Sequence, residues 1–238
     1  SVEVDALLKR SKEPAQIAEL LRDLRRRETL RVAIGSVVGT LSFMEASRAL
    51  TSTTDAYLTG MIEVAKRAMS IDLDFGVVAM GRYGGQEIGF GSDADVMFVY
   101  TSEDQESQAN AEKVTSTLLG LVKDPLLYFE LDLDLRPEGK SGPRVKSLEA
   151  YRGYYEKWAD TWEYQALLRA RPVSGSDALQ NNVTSLVDGY RYPSELSNRQ
   201  LTEIRLVKAR VENERIPAGV SPTRHLKLGH GALSDVEW

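Results

Sequence analysis

Residues 81–93, Gly81-Arg82-Tyr83-Gly84-Gly85-Gln86-Glu87-Ile88-Gly89-Phe90-Gly91-Ser92-Asp93, hold five glycines and separate two apolar runs. The runs, Phe75-Gly76-Val77-Val78-Ala79-Met80 and Ala94-Asp95-Val96-Met97-Phe98-Val99-Tyr100, are too short for helices and are bounded by turn residues, so each reads as a buried strand. The chain must therefore contain a sheet whose first connection is a long glycine-rich turn. Ahead of it the pattern is helical. From Pro14 to about Leu50 the apolar residues Ile17, Leu20, Leu24, Val32, Ile34, Val38 and Leu41 recur at helical spacing between Arg22, Asp23, Arg25, Arg26 and Glu28, as one long or two short amphipathic helices. Another helix follows Thr54, with Tyr57, Met61, Ile62 and Ala65 on one face, and Gly35 and Gly39 mark a close crossing or a break.

Beyond the second strand the chain reads as a polar helix around Glu106 to Val122, then as an alternating strand from Tyr128 to Leu135. After Pro143 it is helical to the end, with Ser147 as an N-cap and Tyr151, Tyr154, Tyr155, Trp158 and Trp162 as a core-packing stripe, punctuated by Pro172, Pro193 and Pro217. Helices, a small mixed sheet and more helices make an α+β chain. The expected divisions are 1–70, N-terminal helices packed on the core; 71–146, the catalytic core; and 147–238, the start of a helical bundle. A first residue Ser1 and a last residue Trp238 read as a cut from a longer chain.

Composition removes several classes of function. The 238 residues include no cysteine, which excludes disulfides, iron–sulfur clusters, thiolate zinc sites and thiol nucleophiles. A net charge of -5 disfavours nucleic-acid or anionic-membrane binding through bulk positive charge. No apolar run approaches the roughly 18 residues that span a bilayer, and the N-terminus lacks the basic and apolar regions of a signal peptide, so the chain reads as cytoplasmic, with no membrane partner. His225 and His230 lack a third ligand at zinc spacing and read as surface residues. Phosphate-loop, dinucleotide, metalloprotease and serine-hydrolase motifs are absent.

What remains is acid chemistry. In Ser92-Asp93-Ala94-Asp95 the two carboxylates stand two residues apart on a strand, on one side of it and about 6.5–7 Å apart at Cα. Val96, Phe98 and Tyr100 are expected on the acids' face. Acids opening a buried strand require compensation, and a divalent cation supplies it. Gly84, Gly85 and Ser92 would turn backbone N–H groups and a hydroxyl toward a metal-bound phosphate; alternatively the glycines serve only a tight connection. A third carboxylate, Asp132 or Asp134, lies on the strand expected beside this one. Three such acids form a two-metal site of the kind that clamps both oxygens of an in-line phosphoryl or nucleotidyl displacement. Arg136 and Lys140 follow in a basic, glycine-containing turn, either to stabilise a departing pyrophosphate or as ordinary surface charges.

The stretch from Gly81 through Gly84-Gly85 to Gly91-Ser92-Asp93-Ala94-Asp95 resembles the signature of the DNA polymerase β-like nucleotidyltransferases, and more narrowly the glutamine synthetase adenylyltransferase family. Further stretches carry the narrower resemblance: Leu135 to Pro143, Trp162 to Val173, and Leu226-Lys227-Leu228-Gly229 with Asp235-Val236-Glu237. Asp134, where many members have arginine, and Ala232, where a second glycine is expected, depart from it. The resemblance implies a polymerase β-like core and one half of a bifunctional enzyme, closer to the C-terminal, adenylylating half of actinobacterial versions. That half transfers AMP from ATP to a tyrosine of glutamine synthetase, while the opposing half removes AMP by phosphorolysis. It implies Asp93, Asp95 and Asp132 as catalytic metal ligands for Mg²⁺ or Mn²⁺, and Gly84, Gly85, Ser92, Arg136 and Lys140 on the nucleotide. Glutamine synthetase and a PII-type signal protein are the implied partners. Glu163, Lys227, Asp235 and Glu237 fall in family-like stretches without assigned chemistry, helix caps and ion pairs explaining them equally well. The non-enzymatic alternative is a silent nucleotide-sensing or docking module, against which three retained carboxylates argue. A relative acting on RNA ends starts from an unfavourable net charge.

Overall fold

A computed structural model describes residues 2–10, 13–102, 104–217 and 219–237. Three helices lead: α1 (Val2–Arg10), α2 (Pro14–Val37) and α3 (Phe43–Met69). The helical pattern that ran to Leu50 breaks at residues 38–42, where Gly39 takes φ +75° and Ser42 and Glu45 cap each other's backbone at the start of α3. Gly35 supplies the close approach, since a Cβ there would come 2.8 Å from the Leu41 side chain.

The sheet is mixed. Strand β1 (Phe75–Ala79) pairs antiparallel with β2 (Ala94–Tyr100), Phe75 opposite Tyr100 and Ala79 opposite Val96. On the other edge of β2, β3 (Leu131–Asp132) and β4 (Val145–Ser147) both run parallel to it, β3 beside Ala94 and Asp95, β4 beside Phe98 to Tyr100. A two-residue strand β5 (Arg171–Pro172) pairs antiparallel with the other edge of β1. Between β1 and β2 the glycine segment opens with a short helix, α4 (Gly81–Gly84). Helix α5 (Gln105–Leu121) links β2 to β3, and α6 (Leu148–Lys157), α7 (Thr161–Ala166), α8 (Asp177–Arg191), α9 (Asn198–Glu214) and α10 (Leu233–Glu237) make up the rest. Ser147 caps α6 by accepting the Ala150 N–H. The strand expected over 128–135 shrinks to Leu131–Asp132. Asp132 Oδ1 accepts the Asp134 N–H at 2.7 Å, folding the chain into a turn that leaves the sheet.

Period-two alternation divides the two faces. Val77, Ala79, Ala94, Val96, Phe98 and Tyr100 enter one core with Leu21, Leu58, Met61, Val114 and Leu118. Val78, Met80, Met97 and Val99 enter a second with Tyr151, Tyr155, Leu179 and Val183. Asp95 therefore shares the face of Met97 and Val99; the expectation that Val96, Phe98 and Tyr100 lie on the acids' side is corrected, because odd and even positions of one strand point oppositely. The aromatic stripe is core at Tyr151 and Tyr155, whereas Trp158 is 74% exposed.

Candidate active site

The acids collect where β1 ends and β2 begins. Asp95 and Asp132 are register partners across parallel strands, about 4.8 Å apart in backbone, so their side chains leave the same face. Asp93 lies just before β2 and is exposed, and Ala94 N–H bonds to the Glu130 carbonyl at 3.0 Å, tying this entry to β3. Burial, then the fields of Asp93 and Asp132, push the Asp95 carboxyl up to about 6. The two neighbouring acids add to a shift that burial leads. Lys227 and Arg169 pull in the other direction. The carboxylates do not form a closed ligand shell: among the described residues no group of three acids or histidines is set as a metal site. The donor set is hard carboxylate oxygen with neither imidazole nor thiolate, which suits Mg²⁺ or Mn²⁺.

Asp132, not Asp134, is the acid directed into the cluster. Asp134 is exposed and pairs with Lys140 at 3.1 Å. Lys140 is 83% exposed in that surface pair. Arg136 is corrected. It is 8% exposed and gives its guanidinium N–H groups to the carbonyls of Leu133, Lys140, Gly142 and Pro143, so it fastens its own loop instead of facing a pyrophosphate.

The Gly84–Gly85 turn is likewise different from its expected form. The Gly84 N–H bonds to the Met80 carbonyl at 2.7 Å and the Gly85 N–H to that of Gly81 at 3.1 Å, so neither is open to a phosphate. Their missing side chains serve packing: a Cβ on Gly84 would overlap the Arg169 carbonyl oxygen, and one on Gly85 would lie 2.9 Å from Arg169 Cδ. Gly81, at φ +50°, is the glycine against the acids, because a Cβ there would overlap Asp95 Oδ2. Ser92 Oγ accepts the Gly89 N–H at 3.0 Å, bracing the glycine loop while its own hydrogen stays available for donation.

Several residues around the site were not anticipated. Arg171 grips Asp55 of α3 with two bonds of 2.9 and 3.0 Å, and Tyr83 donates to the same carboxylate at 2.7 Å, fixing α4 between α3 and β5. Arg169 pairs with Glu87 at 3.0 Å. Lys227 is delivered from far along the chain by a tight turn: His225 Nδ1 accepts from the N–H groups of Lys227 and Leu228, and the Ser234 N–H returns to the Lys227 carbonyl at 2.9 Å. Arg169 and Arg171 stand at i and i+2 in a run that ends in proline, a pattern that could have marked a strand-end pair; Lys227 stood in a family-like stretch without a role, and Asp55 has no local signal. Glu163 proves to be a cap, accepting from the N–H groups of Asp160 and Glu138 and from the Tyr154 hydroxyl. Asp235 pairs with Lys208 at 2.9 Å, and the Glu237 side chain lies outside the described part.

With this geometry in hand, residues 1–185 match the family described as glutamate-ammonia ligase adenylyltransferase. The chain belongs to that family. It is 44% identical to a bifunctional glutamine synthetase adenylyltransferase/adenylyl-removing enzyme of Leifsonia xyli, over 99% of this chain and 24% of the relative. The protein of the same name from Cutibacterium acnes is 42% identical over 99% of this chain and 24% of the relative, and that of Mycobacterium tuberculosis 44% identical over 91% and 23%. This adenylyltransferase-family chain thus spans about a quarter of the length of the curated relatives it matches. Among its described residues no helix is long and apolar enough to cross a membrane.

Proposed function

We propose that the chain transfers AMP from ATP to a tyrosine of glutamine synthetase with release of pyrophosphate. The observation that carries this reading is the placement of Asp95 and Asp132 as register partners at one end of the sheet, with Asp93 just before β2 and the Asp95 carboxyl raised by burial and then by the fields of Asp93 and Asp132. The family membership and the printed names of its relatives support the substrate pair. Asp93, Asp95 and Asp132 would hold Mg²⁺ or Mn²⁺, which when bound polarises phosphate oxygens and acidifies an acceptor hydroxyl. Arg169 and Lys227 offset the charge of the triphosphate from the side facing Asp95. Ser92 donates its hydroxyl hydrogen toward it, and Gly81 keeps the backbone low beneath the carboxylate. The tyrosine hydroxyl gives its proton to a carboxylate of the cluster as its oxygen bonds to the α-phosphorus, the bond from that phosphorus to the bridging oxygen breaks and pyrophosphate leaves; alignment of the two reactants supplies most of the rate. A PII-type protein as regulator and a cytoplasmic setting belong to the same proposal.

Incubation with α-labelled ATP, Mg²⁺ and glutamine synthetase should label the synthetase, and the Asp93→Asn, Asp95→Asn double variant should lose on the order of 10³-fold in rate. Transfer retained in the double variant would contradict the assignment. Formation of ADP from AMP-modified glutamine synthetase and phosphate, with no forward transfer, would assign the chain the opposing, phosphorolytic reaction.

A further inference from the structure

Of the ten tyrosines in the chain, two are exposed among the described residues, Tyr128 at 65% and Tyr192 at 68%. Tyr192 closes the far end of α8, where Arg191 lies 5.0 Å from the centre of its ring. Tyr128 lies beside the acids. Ala94 pairs with Leu131 and Asp95 with Asp132, and the Ala94 N–H on the Glu130 carbonyl continues that pairing one residue back, which sets Glu130 next to Asp93. The Tyr128 hydroxyl donates to the Glu130 carboxylate two residues on, so the phenol is drawn along the chain toward the cluster. The bond to Glu130, then partial burial and the fields of Glu130 and Asp93, push the phenol up, and the charge of Asp93 therefore reaches it.

Helix α2 fixes the backbone that carries this phenol. Arg25 donates to the Leu127 and Tyr128 carbonyls at 3.1 and 3.2 Å and lies 4.4 Å from the centre of the Phe129 ring. Phe129 is itself buried, edge-on to Tyr57 at 5.6 Å. The side chain of Tyr128 is left outside this packing. Its bond to Glu130 joins two exposed groups two residues apart, an arrangement that contributes little to a fold. What the arrangement does supply is an exposed phenol on a fixed backbone, its hydrogen already on a carboxylate, beside three acids. That is a tethered copy of the acceptor the transfer uses, and tethering raises the effective concentration of an acceptor far above that of a free one.

We propose that Tyr128 is itself an acceptor, taking AMP from the ATP held at Asp93, Asp95 and Asp132 of its own chain. The inference rests on the nucleotidyl-transfer reading and adds a second acceptor to it. The Tyr128 hydroxyl gives its proton to Glu130 as its oxygen bonds to the α-phosphorus; the bond from that phosphorus to the bridging oxygen breaks and pyrophosphate leaves. Incubation with α-labelled ATP and Mg²⁺, without glutamine synthetase, followed by peptide mapping should find roughly tenfold more AMP on Tyr128 than on Tyr192. Tyr128→Phe should remove that label, and the labelled fraction of the unmodified chain should stay the same on dilution. Labelled glutamine synthetase with an unmodified Tyr128, equal label on the two tyrosines, or a labelled fraction that falls on dilution would overturn the proposal. A second measurement needs no turnover. In the unmodified chain with ring-labelled tyrosine, Mg²⁺ and an ATP analogue whose α–β bridge cannot be cleaved should shift the Tyr128 resonance and leave that of Tyr192 in place; an unmoved Tyr128 overturns the proposal without recourse to a variant. A chain that labels neither the synthetase nor itself would remove the nucleotidyl-transfer reading and this inference with it.

Discussion

Asp95 concentrates the conflict on which the site depends. It opens a buried strand, faces Met97 and Val99, and has two acids for neighbours, so its carboxyl is pushed up to about 6. A carboxyl more easily protonated folded than unfolded contributes stability that is full below its ordinary value near 4 and is lost as pH rises through about 6. Cation-free Asp95→Asn should therefore be more stable than the unmodified chain at pH 7.5, by about 1–2 kcal/mol after allowing for partial exposure, and equal to it near pH 4, as read by urea denaturation. Mg²⁺ should stabilise the unmodified chain and leave the variant unchanged. Lower stability of the variant at pH 7.5 would show that Asp95 makes a structural bond instead. The face that Asp95 takes was open to period two once the strand was placed, but Asp93 falls just before β2, so its place beside Asp95 is set by the turn and not by the strand. Arg136 was misread for the complementary reason: sequence shows a charge leaving a strand but not that four carbonyls of its own loop surround it.

At the level of elements, α2 governs where Asp132 stands. Arg25 lies 4.4 Å above the Phe129 ring and donates to the carbonyls of Leu127 and Tyr128 at 3.1 and 3.2 Å. Arg26 meets Asp124 with two bonds of 2.9 and 2.6 Å, and Asp124 also accepts the N–H groups of Leu126 and Leu127. Burial pushes the Asp124 carboxyl up, but Arg26 and those N–H groups outweigh it and hold it below the usual range. Its contribution is present above pH 4 and is lost as pH falls below that. Asp124→Ala leaves Arg26 with only Glu19 and Asp23 and two N–H groups without an acceptor; it should cost about 1–2 kcal/mol in thermal or urea unfolding at pH 7 and less at low pH, where the carboxyl is protonated. An unchanged midpoint at pH 7 would separate this loop from the stability of the core. Helices and the two central strands were readable, and alternation marked β3 at more than its true length, whereas β4 and β5 are too short to have a period. Their existence depends on β2 and β1 presenting edges, a property of the folded sheet.

For the molecule as a whole, the site is assembled from distant parts of the chain. Asp55 arrives on α3, the acids on β2 and β3, Arg169 before β5, and Lys227 on a turn that His225 closes. The resemblance in sequence covered Asp95, Arg169 and Lys227 and gave a role to the acids alone; Asp55 lay outside it, and the shared location of these residues exists only after folding. The account reduces to one claim, that Asp93, Asp95 and Asp132 jointly grip the divalent ion that carries a nucleotide. Diffraction from crystals soaked in Mn²⁺ with a non-hydrolysable ATP analogue, recorded for the anomalous signal of manganese, tests it most directly. The account predicts manganese bound by carboxylate oxygens of all three residues; manganese bound elsewhere, or bound with Asp132 still turned to the Asp134 N–H and outside its ligand shell, would contradict it.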